Sequence, residues 1–250
     1  MKKTLLEIVQ YILNDLDSDS VNSISDTAES EQVASIVRSS YEKLIANRNW
    51  PHLRKLFQLE HVGDLTKPNY LRAPEGLKEL TFFKYECQKQ DGKLLQQDVI
   101  YMYPDEFLRY ISSRNQNNVN VSTVVDFGGS KLLISNDHSP RYWTTFDDEY
   151  IVTDSYDSAV DDVLQKSKTQ CVGYIHPTWV HNDTFIPNLP VEAFPALINE
   201  ALSAASLRLK QLPDQKAEQD AQRQQRWLAR KAWRLEGGIR YENYGRKGRK

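Results

Sequence analysis

An α+β fold is predicted by three features of this 250-residue chain. Apolar residues recur at helical spacing near both ends, the middle is broken into short runs of β-branched and aromatic residues, and turn residues separate those runs. The order helix, strand, helix then calls for N- and C-terminal helices closing one bundle, with an antiparallel β module inserted between them. These changes of pattern divide the chain into bundle helices over 1–52, the β module over 53–187, further bundle helices over 188–236 and a basic flexible tail over 237–250.

The first helix is marked by Leu5, Leu6, Ile8, Val9, Ile12, Leu13 and Leu16. After a polar loop, Asp26 and Glu29 have the spacing of a capping box. Val33, Ile36, Val37, Tyr41, Leu44 and Ile45 then form one face of a long helix that Pro51 bars from continuing. Trp50 is expected as a core plug where helix gives way to strand. Strands are expected within 80–87, 98–103, 119–127, 131–134, 141–146, 150–155 and 170–175, with turns at Asp91-Gly92, Gly128-Gly129 and Asp147-Asp148. Pro104 suits the first turn of a short helix. Helix returns at Pro190 with a wide apolar stripe of Phe194, Leu197, Ile198, Ala201, Leu202, Ala205, Leu209 and Leu212. Pro213-Asp214 starts the last helix, which lacks a broad apolar face and is expected to stop at Gly237-Gly238.

Composition excludes some classes of function. A formal net charge of −2 argues against a wholly basic nucleic-acid binder. The charge is uneven: from Arg208 onward the chain is roughly +8 and the remainder roughly −10. Cys87 and Cys171 make no disulfide framework and fit reduced thiols in a protein made in a cytoplasm. Lys2 and Lys3 precede an amphipathic segment rather than the apolar core of a signal peptide, and no stretch reaches the roughly 18 apolar residues of a membrane span. No membrane partner and no cofactor are expected.

The sequence lacks a Walker loop, GxGxxG, GxSxG, CxxC and HExxH. Cys171, His176 and His181 offer three potential metal ligands where a structural zinc takes four, so ordinary strand and loop positions are expected and no metal. Asp147, Asp148, Glu149, Asp154, Asp157, Asp161 and Asp162 form an acidic cluster without the spacing of an EF-hand; a turn and a solvated face account for it, and no catalytic residue is assigned. Trp227 and Trp233 lie among Arg226, Arg230, Lys231 and Arg234. Such a set can stack on bases, anchor a protein interface, or belong to a solvated helix. Solvation explains the charges but not two large rings.

Four segments give the chain a family resemblance. They are Ala46-Asn47-Arg48-Asn49-Trp50 at a helix end, the run from Tyr101 through Pro104 to Leu108, the run from Pro140 to Asp157 that includes Tyr142-Trp143, and Leu189-Pro190 to Leu197 leading into Leu209-Lys210-Gln211 and the Gln- and Arg-rich helix. In their order and spacing over about 200 residues the chain resembles the head-to-tail connector proteins of short-tailed bacteriophages, also called adaptors or tail tubular protein A. The resemblance implies a helical bundle with a β domain, in a virion ring of twelve copies below the portal. It implies that the C-terminal segment docks on the portal, that the other face receives the tail nozzle or tail tube, and that genomic DNA passes through the channel without sequence-specific binding. No catalytic residues carry over. Charge and position, rather than a shared motif, select Trp227, Arg230, Trp233, Arg234, Arg240, Tyr241, Tyr244 and Arg246 as docking residues. The competing expectations are a nucleic-acid-binding protein that uses the basic tail, and a hydrolase that uses the acidic cluster.

Overall fold

The structure is a computed structural model that describes residues 1–88 and 94–244, with the side chains of 88, 94 and 231–244 left undescribed. It is an α+β fold whose chain divides into two compact units. One unit combines Met1–Leu53 with the stretch from His176 onward; the other is Arg54–Ile175.

The helical unit begins with α1 (Leu5–Asp15). Thr4 and Glu7 cap it reciprocally: the Thr4 N–H donates to Glu7 Oε2 at 2.8 Å and the Glu7 N–H to Thr4 Oγ1 at 3.2 Å. Helix α2 (Ala28–Ala46) is capped by Thr27 and Ser30, not by Asp26 and Glu29 as the spacing predicts. Asp26 instead accepts the N–H groups of Asn22 and Ser23 in the preceding loop, at 2.7 and 2.8 Å. A carboxylate satisfies turn and cap N–H groups alike, so spacing alone misplaced the boundary by one residue. At the far end Trp50 is buried as expected and its indole N–H donates to the Leu44 carbonyl at 2.7 Å, answering one of the helix's free C=O groups.

The segment 176–187, assigned to the β module from sequence, belongs to the helical unit. Its carbonyls at Asp183 and Phe185 accept the first N–H groups of α1, from Leu6 at 3.2 Å and Leu5 at 2.7 Å. The Asp183 carboxylate binds the Ile24 N–H and the Ser23 hydroxyl, and Trp179 packs its ring between Tyr41 and Phe185. Helix α4 (Phe194–Ala205) then packs on α1 and α2. Phe194, Leu197, Ile198, Ala201, Leu202 and Ala205 of the predicted stripe are buried, but Leu209 is half-exposed and Leu212 exposed. The α-helix gives way at Ser206–Lys210 to a π-helical turn, which rotates these leucines off the stripe, and Gln211 ends it in a left-handed conformation with φ 56°.

The strand-rich unit contains β1 (Arg54–Phe57), β2 (Glu60–His61), β3 (Tyr70–Arg72), β4 (Leu77–Gln88), β5 (Leu94–Asp98), β6 (Ile100–Tyr101), α3 (Pro104–Ser112), β7 (Val121–Val125), β8 (Lys131–Ser135), β9 (Tyr142–Thr144), β10 (Tyr150–Thr153) and β11 (Thr169–Ile175). All seven predicted strand regions are occupied, and Pro104 stands in the first turn of α3. Three short strands, β1 to β3, were not anticipated, and β5 meets the expected region 98–103 only at Asp98. The Asp91-Gly92 turn lies outside the described residues. Strands assemble into sheets β1-β11-β4-β5, β2-β3-β10-β9-β6 and β7-β8. Among the described residues the named strands pair antiparallel except for β6 with β9, which are parallel, and an isolated parallel bridge joins Ser135 to Ser155. Strand β1 pairs with β11, the first and last strands of the insertion, so both chain crossings lie at neighbouring strands (Arg54 opposite Tyr174). Leu59, Leu71, Phe83, Phe107, Val124, Ile134, Ile151 and Cys171 are among the side chains of its core.

Asp154 is the exception among the acidic residues expected at the surface. It is fully buried and paired with Arg114 at 3.1 Å. Arg114 also donates to the carbonyls of Leu133 and Asp154, while the second carboxylate oxygen accepts the N–H groups of Arg141 and Tyr142. One ion pair thus ties the end of α3 to β8, β9 and the residue after β10.

Gly173 sits at a bulge in β11, where an added Cβ would run into the Glu79 carbonyl oxygen of β4. Gly173→Ala is expected to cost about 1–3 kcal/mol through overpacking against backbone. An unchanged urea midpoint would show that β4 moves aside freely.

Candidate partner-docking helix

Helix α5 (Gln215–Tyr244) carries most of the residues selected for docking. Pro213 prevents continuation from the preceding turn, and Asp214 caps the new helix by accepting the N–H groups of Lys216 and Ala217, both at 3.0 Å. The helix does not stop at Gly237-Gly238. It runs through both glycines to Tyr244, so the tail expected from 237 is helical as far as that residue. Gly-Gly lowers helix propensity by about 1 kcal/mol per residue, which makes termination a preference and not a rule.

Helix α5 lacks a broad apolar face, as its sequence predicts, but it does have a narrow one turned to its own bundle. Ala217, Ala221 and Leu228 are buried, α5 packs on α4, and Gln225 donates to Glu200 of α4 at 3.2 Å. The stripe is narrow and mostly alanine, so the large-residue pattern of an amphipathic helix is missing from the sequence. At about 100° per residue the positions of Ala232, Leu235 and Ile239 continue the same stripe.

The opposite half of α5 gathers the docking residues. Trp227 is 52% exposed, and Arg226 and Arg230 are exposed beside it. By helical register the positions of Trp233, Arg234, Arg240, Tyr241 and Tyr244 fall on this same half. Arg246 lies outside the described residues. Arg223, not selected from sequence, joins this half: it is exposed and loosely paired with Asp220 at 3.6 Å. Its signal was available in the spacing of Arg223, Arg226, Arg230 and Arg234, which repeat every three or four residues. With 30 residues α5 is about 45 Å long, against about 18 Å for the 12 residues of α4. Helix α4 by itself cannot cover it from end to end. The result is a two-sided element, apolar toward its own bundle and aromatic-cationic away from it.

The other candidates do not gather. Cys171 is buried in β11, where burial pushes its thiol up to about 12, far from the thiolate a metal takes; His176 and His181 are exposed. Among the described residues no three His, Cys, Asp or Glu side chains converge as metal ligands would. Of the acidic residues, Asp161 is paired with Lys168, and Asp147 caps its own turn by accepting the N–H groups of Glu149 and Tyr150. Asp147, Asp148 and Glu149 border an open groove of about 780 Å³ with Glu60 and Glu75, and in it Glu149 is answered by Arg72 at 3.2 Å. No helix among the described residues is long and apolar enough to cross a membrane.

No protein-family model matches the chain, and no curated protein is significantly similar to it.

Proposed function

We propose that this chain is a structural virion protein, the head-to-tail adaptor of a short-tailed bacteriophage. Its copies form a ring under the portal, twelve by resemblance, join the capsid vertex to the tail nozzle or tail tube, and continue the channel for genomic DNA. The observation that carries the reading is the two-sided α5. A narrow alanine stripe anchors it to α4, while Arg226, Trp227 and Arg230 are exposed on the opposite half, where the remaining docking positions of the helix also fall by register. Tryptophan and arginine together are the residues that dominate protein interfaces. The excess of acidic residues before Arg208 supports a DNA channel that DNA slides through, since Lys and Arg contacts to phosphate are what retain it. A catalytic role is not part of the proposal.

The aromatic-cationic half of α5 would also suit stacking on nucleic acid, and the test separates the two. The full chain, a form lacking 237–250, and Trp227→Ala with Trp233→Ala are titrated onto purified, DNA-free portal rings and, separately, onto short duplex DNA. Loss of a central hot spot of about 2 kcal/mol weakens portal binding about 30-fold, and that is the expected outcome for the tryptophan variant. Portal binding that stays unchanged while DNA affinity collapses replaces the adaptor reading with the nucleic-acid one.

A further inference from the structure

The strand-rich unit carries an exposed aromatic face that none of its own elements covers. Ile100 and Tyr101 of the edge strand β6 are 59% and 43% exposed, Tyr103 at the start of α3 is 67% exposed, and Tyr110 of α3 is 37% exposed. Ring contacts join them to β9: Tyr101 meets Tyr103 at 5.4 Å and Trp143 at 4.8 Å, and Tyr110 meets Tyr142 at 5.4 Å. Because Ile100 is opposite Tyr142 and Tyr101 opposite Trp143, the face wraps both sides of the open sheet edge. Arg109 and Arg141 are exposed, each the neighbour in sequence of a tyrosine in the face.

We infer that this face is the subunit-to-subunit contact of the ring, and that its occupant is a second copy of this chain. The inference rests on the ring reading above. Area is the first argument. With about 200 Å² for a large side chain, the four exposed fractions amount to roughly 400 Å². That is within the size of the largest patch on a typical monomer, about 300–600 Å². It is also about half of the ~800 Å² each partner gives to a stable interface, close to the non-polar share of such interfaces. Charge is the second. The chain before Arg208 is acidic by roughly ten charges, so the two bodies repel as wholes, but Arg109 and Arg141 at the edge of the face are placed to pair locally with the exposed carboxylates that another copy presents. Asp105 and Glu106 lie in the first turn of α3, where the helix dipole answers them. Topology is the third. The five-stranded sheet is open at β6 and, at its other end, at β2, so a copy can meet its neighbour with a surface different from the one it presents on the other side. Such heterologous contacts close into rings. Strand β6 is only two residues long, so side chains and not an extended strand ladder make the contact.

The test uses Ile100→Lys with Tyr103→Lys in the full chain, and Leu65→Lys, an apolar position 72% exposed elsewhere in the same unit, as the control. Circular dichroism first establishes that both variants fold. Sedimentation velocity then follows the chain alone over a wide concentration range, and mass measurement follows it on portal rings. The expected result is that wild type and Leu65→Lys assemble alike. The double variant needs at least about tenfold more protein to assemble, or binds portals as scattered single copies. If the double variant assembles like wild type in both settings, the face is not the contact, and the adaptor reading stands. A wild type that stays monomeric alone and binds portals only as scattered single copies overturns the inference and the ring together. A wild type that does not bind portals yet self-associates through this face overturns the adaptor reading and leaves the contact intact.

Discussion

Arg114→Ala is expected to destabilise the strand-rich unit by about 3–5 kcal/mol, the usual cost of breaking a buried ion pair from one side. The Arg114 side chain is 12% exposed and Asp154 is not exposed at all. Removing the guanidinium deletes its bonds to the Leu133 and Asp154 carbonyls and leaves a carboxylate inside the protein with only the Arg141 and Tyr142 N–H groups and the Ser155 hydroxyl to hold it. Urea unfolding measures the loss. Adding Asp154→Asn to Arg114→Ala is expected to recover part of it, because the uncompensated charge is then gone while the backbone N–H groups keep an acceptor. A single-variant loss below about 1 kcal/mol would mean that water replaces the guanidinium, and the pair would then be dispensable.

Leu197→Ala is the second large effect, at about 2–5 kcal/mol, and Leu44→Ala belongs in the same range. Leu197 is 0% exposed and Leu44 3% exposed, and their helices, α4 and α2, pack on one another. Truncation removes apolar burial and leaves a cavity between closely packed helices that relax only in part around it. The effect should appear in the helical unit: amide exchange in α1, α2 and α4 accelerates, while the core of the strand-rich unit around Phe107 and Ile134 keeps its protection. Acceleration of both cores to the same extent would show that the two units unfold as one.

Periodicity carried far into this fold. The faces of α1 and α2, the α4 stripe as far as Ala205 and seven strand regions were legible because large apolar side chains at periods of 3.6 or 2 have few other uses. What was not legible had weak or shared signals. Strands β1 to β3 are two to four residues long, too short to show a period. Leu56 of β1 is even 69% exposed. The stripe of α5 is built on alanine, whose small volume leaves no amphipathic contrast, so a helix with a bundle-facing side read as one without.

Of the docking residues, the sequence alone supplied the identities and the charge asymmetry about Arg208. The structure added that the helix continues past Gly237-Gly238 to Tyr244, which carries one register through the whole set, and that Arg223 is exposed on the same half. The same division holds for the acidic residues. Sequence places Asp154 among carboxylates that look alike, because charge density along a chain reports composition and not depth. Tertiary structure decided that Asp154 alone of that set is fully buried. Arg114, forty residues away in the chain, supplies the charge, and Arg141 and Tyr142 supply the N–H groups that make burial tolerable. Local periodicity determines which segments become helix or strand, since both patterns are written over a few consecutive residues. Which polar groups enter the core depends on partners brought together from distant segments, and those partners meet only once the chain has folded.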